Sequence, residues 1–191
     1  MKLNLGCDTC YLNHKGWTDI DLQPHAPHVV KADALHLPYE NSSADFVFTS
    51  HLIEHMPYAD GLLLLAECRR VLKPGGRIRV TTPDLAFLAD LITGTGMQAF
   101  DYLKFQQQSS PKEIPKPRAS FVVNRFVRAW GHLFIYDQLT LMDAMLETGF
   151  KTITSHKVGE SGCEELRDLE PIERLPPGMF QLESLTLEGR K

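Results

Sequence analysis

Between residues 60 and 82 the apolar pattern changes its period, and that change constrains the fold more than any other feature of the chain. Over residues 60–72, Leu62, Leu63, Leu65, Ala66, Cys68, Val71 and Leu72 fall largely on helical faces. Over residues 77–82, Ile78 and Val80 alternate with Arg77, Arg79 and Thr81, the period of a strand. Lys73-Pro74-Gly75-Gly76 separates the two, proline withdrawing a backbone donor and glycine accepting a left-handed turn. Four short strand patterns precede this unit, at residues 2–5, 17–22, 29–32 and 45–49. Strands joined by crossovers predict an open α/β sheet with right-handed connections.

Beyond the fifth strand, Pro83-Asp84 leads into a helix predicted over residues 85–92. Residues 106–118 then carry Pro111, Pro115 and Pro117 with Ser109 and Ser110, a composition that predicts an irregular excursion out of the sheet. Regular spacing returns over residues 136–148 through Leu139, Leu141, Met142, Met145 and Leu146, with Gly149 as the C-cap. Residues 150–158 and 184–190 read as closing strands. The expectation is one domain over residues 1–191, with an acceptor-binding lid inserted at about 97–135.

Charge narrows the partners. Twenty Lys and Arg stand against twenty-four Asp and Glu, a net −4 that supplies no excess for coating nucleic acid or a membrane surface. The longest purely apolar run, residues 62–66, is too short to span a bilayer. The start, Met1-Lys2-Leu3-Asn4-Leu5-Gly6, lacks a secretory pattern, so a cytoplasmic location is expected. Four cysteines in 191 residues are not a disulfide scaffold.

The first strand ends in Leu5-Gly6-Cys7-Asp8, and in an open α/β sheet ligands sit beyond the carboxyl ends of the strands, near the topological switch point. Asp21, at the end of the second strand, can accept both hydroxyls of a ribose, and Asp33, at the end of the third, an exocyclic amine, with Ala34 and Leu35 as apolar contacts. The plainer readings are a turn glycine and two carboxylates that cap turns. A nicotinamide dinucleotide is disfavoured, because G-x-G-x-x-G needs three glycines where this loop supplies only Gly6.

These segments resemble the class I S-adenosylmethionine-dependent methyltransferases of the small, broad-specificity type. Leu3-Asn4-Leu5-Gly6-Cys7 matches that family's first motif, and Gly16-Trp17-Thr18-Asp19-Ile20-Asp21 its ribose-contacting one. Residues 32–38, the fourth-strand segment Ala44-Asp45-Phe46-Val47-Phe48-Thr49-Ser50-His51-Leu52-Ile53-Glu54-His55, and residues 70–78 follow in order. The resemblance implies a Rossmann-like, mostly parallel sheet with an antiparallel last strand and helices on both faces. It also implies S-adenosyl-L-methionine as cofactor, held by Leu5, Gly6, Cys7, Asp21, Leu22, Asp33, Ala34, Leu35, Thr49, Ser50 and His51. The family usually repeats glycine where this chain has Asp8, which brings a carboxylate toward the methionine end of the cofactor. Aspartate tolerates the left-handed turn better than most residues.

A sulfonium donor is activated by its own charge, so catalysis reduces to holding the acceptor in line, with a base where the acceptor must lose a proton. His51 is the first candidate for that base; His132 and Tyr136, four residues apart, form a second set, or pack at a helix entry. Glu54 and His55 read as pocket-shaping. Cys7-x-x-Cys10 with His14, His25 and His28 lacks a second, comparably spaced ligand pair, and no metal is expected. Lys104, Lys112, Lys116, Arg118, Arg125 and Arg128, interleaved with Phe121, Phe126 and Trp130, either close over an anionic acceptor or lie on an amphipathic helix with arginines in water. The leading expectation is O- or N-methylation of a small-molecule or glycan-like acceptor. No N/D-P-P-Y-type tetrapeptide follows the fourth strand, which argues against nucleic-acid amino groups. The competing expectation is a methyltransferase fold kept as a catalytically impaired binding or scaffold module. A homodimer supplying a lid is compatible with the sequence, and nothing in it demands one.

Overall fold

The computed structural model describes residues 1–94 and 97–191. Seven strands form one sheet in the order β3-β2-β1-β4-β5-β7-β6: β1 (Lys2–Leu5), β2 (Thr18–Asp21), β3 (Val30–Lys31), β4 (Ala44–Ser50), β5 (Leu72–Pro83), β6 (Lys151–His156) and β7 (Ser184–Arg190). Pairings from β3 through β5 are parallel, and β7 runs antiparallel to both β5 and β6. The chain order reverses between β1 and β4, so a crevice opens beyond their carboxyl ends.

Period-two alternation assigns each side chain a face. Leu3, Leu5, Val47, Ile78 and Val80 point to one side, against Leu64, Leu65, Cys68 and Val71 of α1 (Tyr58–Val71). Leu141, Ala144 and Met145 of α5 (Gln138–Glu147) complete that core. The other face carries Phe48, covered by Leu12, Trp17, Leu166 and Leu169. No α-helix joins β1 to β2, where the sequence leaves only a short link. The buried carboxylate of Asp19 holds this link, accepting from Asn4 Nδ2 at 2.7 Å, Leu12 N at 2.9 Å and Asn13 N at 3.0 Å. Those backbone donors would otherwise be orphaned under the sheet.

Arg79 also points to that second face, wholly buried. Its guanidinium donates to Glu170 Oε1 and Glu188 Oε1, each at 2.6 Å, and to the Glu160 carbonyl at 2.9 Å. Glu170 also accepts from Thr81 Oγ1 at 2.8 Å and Gly159 N at 3.1 Å. These bonds fasten the strap of residues 157–178, between β6 and α6 (Met179–Glu183), across the sheet.

The excursion is more regular than its prolines predict. Helices α2 (Leu85–Thr93), α3 (Met97–Ser109) and α4 (Ala119–Arg128) gather around Leu88, Leu91, Tyr102, Ile114, Val122 and Phe126, a small core of their own. Helix α3 runs on through Gln106 because that side chain is buried and donates to the Tyr102 hydroxyl; irregular chain is confined to residues 110–118, where the prolines are. Among the described residues no helix is long and apolar enough to cross a membrane, and all four cysteines are free thiols.

Candidate active site

At the end of β1, Gly6 adopts φ +62°, and a Cβ there would stand 2.7 Å from Leu52 Cδ1. Only glycine lets this turn approach the end of β4 so closely. Asp8 takes the left-handed conformation too, at φ +45°, and its backbone N–H donates to Asp21 Oδ2 at 2.9 Å. Gln23 N–H donates to Asp21 Oδ1 at 2.9 Å, so Asp21 ties the ends of β1 and β2 together. The Asp8 carboxylate does not point free into the site. Arg174 of the strap donates to Asp8 Oδ2 at 3.2 Å and to Thr9 Oγ1 at 2.7 Å.

Other residues expected here fall into two groups. Leu22 is 58 % exposed, and Ala34 and Leu35 are half-buried against the core; neither these nor Asp21 and Asp33 line the cavity described below. Asp33 caps its own turn, accepting from Leu35 N at 2.9 Å, the plainer of its two readings. Leu5 and Thr49 are buried within β1 and β4 and do not line that cavity. Cys7 is buried, and burial, reinforced by Asp19 and Asp21, pushes its thiol up to about 12, so it is a neutral wall of the site.

At the end of β4, Ser50 Oγ is buried without a hydrogen-bond partner among the described residues. His51 follows at φ +53°, in the left-handed region that residues other than glycine seldom occupy. Its Nδ1 is 3.3 Å from Glu54 Oε1, its Nε2 is 3.1 Å from Ser184 Oγ, and its ring leans on Phe180 with centroids 5.0 Å apart. Thr82 Oγ1 donates to Glu54 Oε2 at 3.0 Å. Burial disfavours the imidazolium, but the hydrogen bond and charge of Glu54 outweigh it and raise the pKa of His51. Burial likewise opposes ionisation of Glu54, and His51 again outweighs it, lowering the carboxyl's pKa.

A cavity of about 700 Å³ runs from Gly6, Cys7 and Asp8, past Ser50 and His51, to Glu54, His55 and His132 beside α3 and α4. Phe105, Phe126, Trp130 and Phe180 give it aromatic walls. His132 Nδ1 donates to the Phe126 carbonyl at 2.7 Å, and burial lowers its pKa. Tyr136 is the clearest correction. It is fully buried among α1 residues, away from the cavity, with its hydroxyl so close to Gly61 that a Cβ there would collide. It belongs to the helix-entry packing.

Of the six basic excursion residues, only Arg125 lines the cavity, and it is occupied: Nε donates to Glu113 Oε2 at 2.6 Å, Nη1 to Gln106 Oε1 at 2.8 Å, and the guanidinium lies 4.2 Å from the Trp130 ring. Helix α4 otherwise follows the amphipathic reading, with Val122 and Phe126 inward. Residues 7, 10, 14, 25 and 28 are not assembled as metal ligands; His25 faces Asp8 and His28 faces Asp19. Sequence reasoning missed Arg174 of the strap and Ser184 at the start of β7, which no local motif marks.

Residues 8–80 match the family model described as a methyltransferase domain. A demethylmenaquinone methyltransferase from Staphylococcus haemolyticus is 45 % identical over 51 residues, covering 27 % of this chain and 20 % of that enzyme, so the match spans a fifth of the relative's length. An S-adenosylmethionine-dependent methyltransferase from Mesorhizobium loti superposes with TM-score 0.58 at 17 % identity, over 100 % of this chain and 90 % of that one. The 1,6-didemethyltoxoflavin-N1-methyltransferase of Burkholderia thailandensis, whose structure holds S-adenosylhomocysteine, superposes with TM-score 0.57 at 14 % identity, over 100 % and 70 %. In strand order and glycine turn the chain has the fold of the class I S-adenosylmethionine-dependent methyltransferases, and residues 8–80 within it carry the signature of a methyltransferase domain.

Proposed function

We propose that the chain methylates an oxygen or nitrogen of a small-molecule or glycan-like acceptor, with S-adenosyl-L-methionine as donor. The observation that carries this reading is the single cavity joining the Gly6 turn to Ser50, His51 and the lid. The residues present suit the cofactor. Ser50 Oγ is an unpaired buried hydroxyl facing the cavity, and Asp8 and Arg174 offer opposite charges to a zwitterionic amino acid. The Asp21 oxygens each keep a lone pair for a ribose diol, with Leu22, Ala34 and Leu35 for an adenine ring. When bound, S-adenosyl-L-methionine supplies a methyl group already activated on a sulfonium.

The chain's own work is then positioning. Phe126 and Trp130 offer ring faces on which a planar or sugar ring can stack, while the lid helices exclude water. His51, its two ring nitrogens held by Glu54 and Ser184, is a fixed ring wall against which the acceptor's reacting atom is aligned. Because Arg174 partners Asp8 and the turn keeps its left-handed backbone, the loop gives no reason to prefer a binding module. Calorimetry with S-adenosylmethionine, S-adenosylhomocysteine and NAD tests the reading. Micromolar binding of both sulfur ligands and none of NAD is expected; failure of both to bind overturns it.

A further inference from the structure

Glu54, His55 and His132 meet at the acceptor end of the cavity, each offering a ligand atom, and these atoms all lie within 4.8 Å of one another. We propose that they form a binding site for one divalent transition-metal cation of the zinc, manganese or iron class.

Three observations converge on it. Glu54 is completely buried, its Oε2 accepts from Thr82, and near its Oε1 stands only the His51 ring nitrogen, 3.3 Å away, among the described residues. A buried carboxylate oxygen with so long a single contact keeps lone pairs for a further cation. The second observation is the tautomer of His132. With Nδ1 donating to the Phe126 carbonyl at 2.7 Å, the lone pair is on Nε2, and a backbone carbonyl on the far nitrogen is the outer-shell arrangement that orients metal-bound imidazoles. The third is that the two rings, at 4.9 Å between centroids and 75°, meet edge to face at the cavity wall. Ligand atoms around a cation at about 2.1 Å stand about 3.0–3.5 Å apart, so modest side-chain rotation closes the set.

Two imidazoles and one carboxylate select transition cations over magnesium, and they leave coordination positions open to the cavity. If the methyl-transfer reading holds, an acceptor oxygen can occupy one of them, which deepens that reading to an acceptor with a metal-coordinating hydroxyl. Cation binding itself does not depend on it.

The test uses the full chain stripped with chelator, titrated with Co²⁺ in the visible range and with Zn²⁺ by calorimetry. One cation per chain is expected, with d–d bands and no thiolate charge-transfer band in the near ultraviolet. His55→Ala and His132→Ala should each weaken binding by about 100-fold or more, beyond the cost of losing an outer-shell partner, while the Cys7→Ser/Cys10→Ser variant binds as before. The wild-type cobalt spectrum reports the donor set whether or not any variant folds. A thiolate band, affinity unchanged in both histidine variants, or no wild-type binding below about 1 mM overturns the proposal. S-adenosylmethionine binding measured on the same stripped protein separates failure of the cation site from failure of the methyl-transfer reading.

Discussion

Replacing Arg79 with methionine is the most revealing perturbation of the fold. It leaves Glu170 and Glu188 facing one another beneath the strap without their shared cation, and both are buried. Removing one partner of a buried ion pair costs about 3–5 kcal/mol, because the survivor keeps its desolvation penalty and loses its compensation. In a domain of this size each kcal/mol moves the midpoint by about 2–4 °C, so Arg79→Met should melt roughly 6–20 °C below the wild type. The triple change Arg79→Met, Glu170→Met, Glu188→Leu removes all three charges and should recover most of the loss. Pro171 and Arg174, which line the cavity, directly follow Glu170, so Arg79→Met should also weaken S-adenosylmethionine binding and expose residues 157–178 to protease. Calorimetric melting at pH 7.5 reads the loss and its recovery. A shift under about 3 °C, or no recovery in the triple variant, would refute the reasoning.

Four further outcomes are expected. Asp21→Ala should reduce S-adenosylmethionine affinity at least tenfold by titration calorimetry, since a charge-assisted acceptor contributes about 1.5–3 kcal/mol. Gly6→Ala meets both a left-handed backbone costing about 1–2 kcal/mol and the Leu52 side chain; adding Leu52→Ala should recover only the steric part of the melting deficit. His51→Ala should lower kcat while leaving S-adenosylmethionine affinity within about twofold, a split that a merely structural role would not produce. Asp45, paired with the N-terminus and Lys73, has its pKa lowered from 3.8 to about 2, so the stability it contributes is complete above about 4 and is lost as pH falls toward 2; Asp45→Asn should flatten that acid limb of the melting curve.

Where structure follows local period, the sequence was legible. Leu3 and Leu5 against Asn4, or Ile78 and Val80 against Arg79 and Thr81, sort onto two faces by alternation alone, and the resulting sheet carries the switch point that locates Gly6, Asp21 and Ser50. What local period cannot show is which polar residue on a strand ends up buried. Asp19 and Arg79 alternate with the apolar positions of their strands, yet each is enclosed by a segment with no periodicity: residues 8–17 fold onto Asp19, and the strap folds onto Arg79. Tyr136 failed as a site residue for a related reason, because its spacing from His132 is right for a shared face only if a helix spans both, and α5 begins at Gln138.

The aspartate at position 8 illustrates how such gaps close. Alone it is an irregularity, a carboxylate in a turn where the family usually has glycine. Arg174 alone is one exposed basic residue in a proline-flanked loop. Together, at 3.2 Å, they make opposite charges at the wall of one cavity, and each makes the other tolerable: the guanidinium offsets the carboxylate beside the Gly6 turn, and the carboxylate steadies a strap that has little regular structure. The partner is held by the Arg79 and Glu170 network far along the chain, so the polar second face of the sheet, the strap and the cofactor turn act as one mechanical unit. Loosening the strap should therefore be felt at Gly6 and Asp8 before it is felt in the helical core on the opposite face.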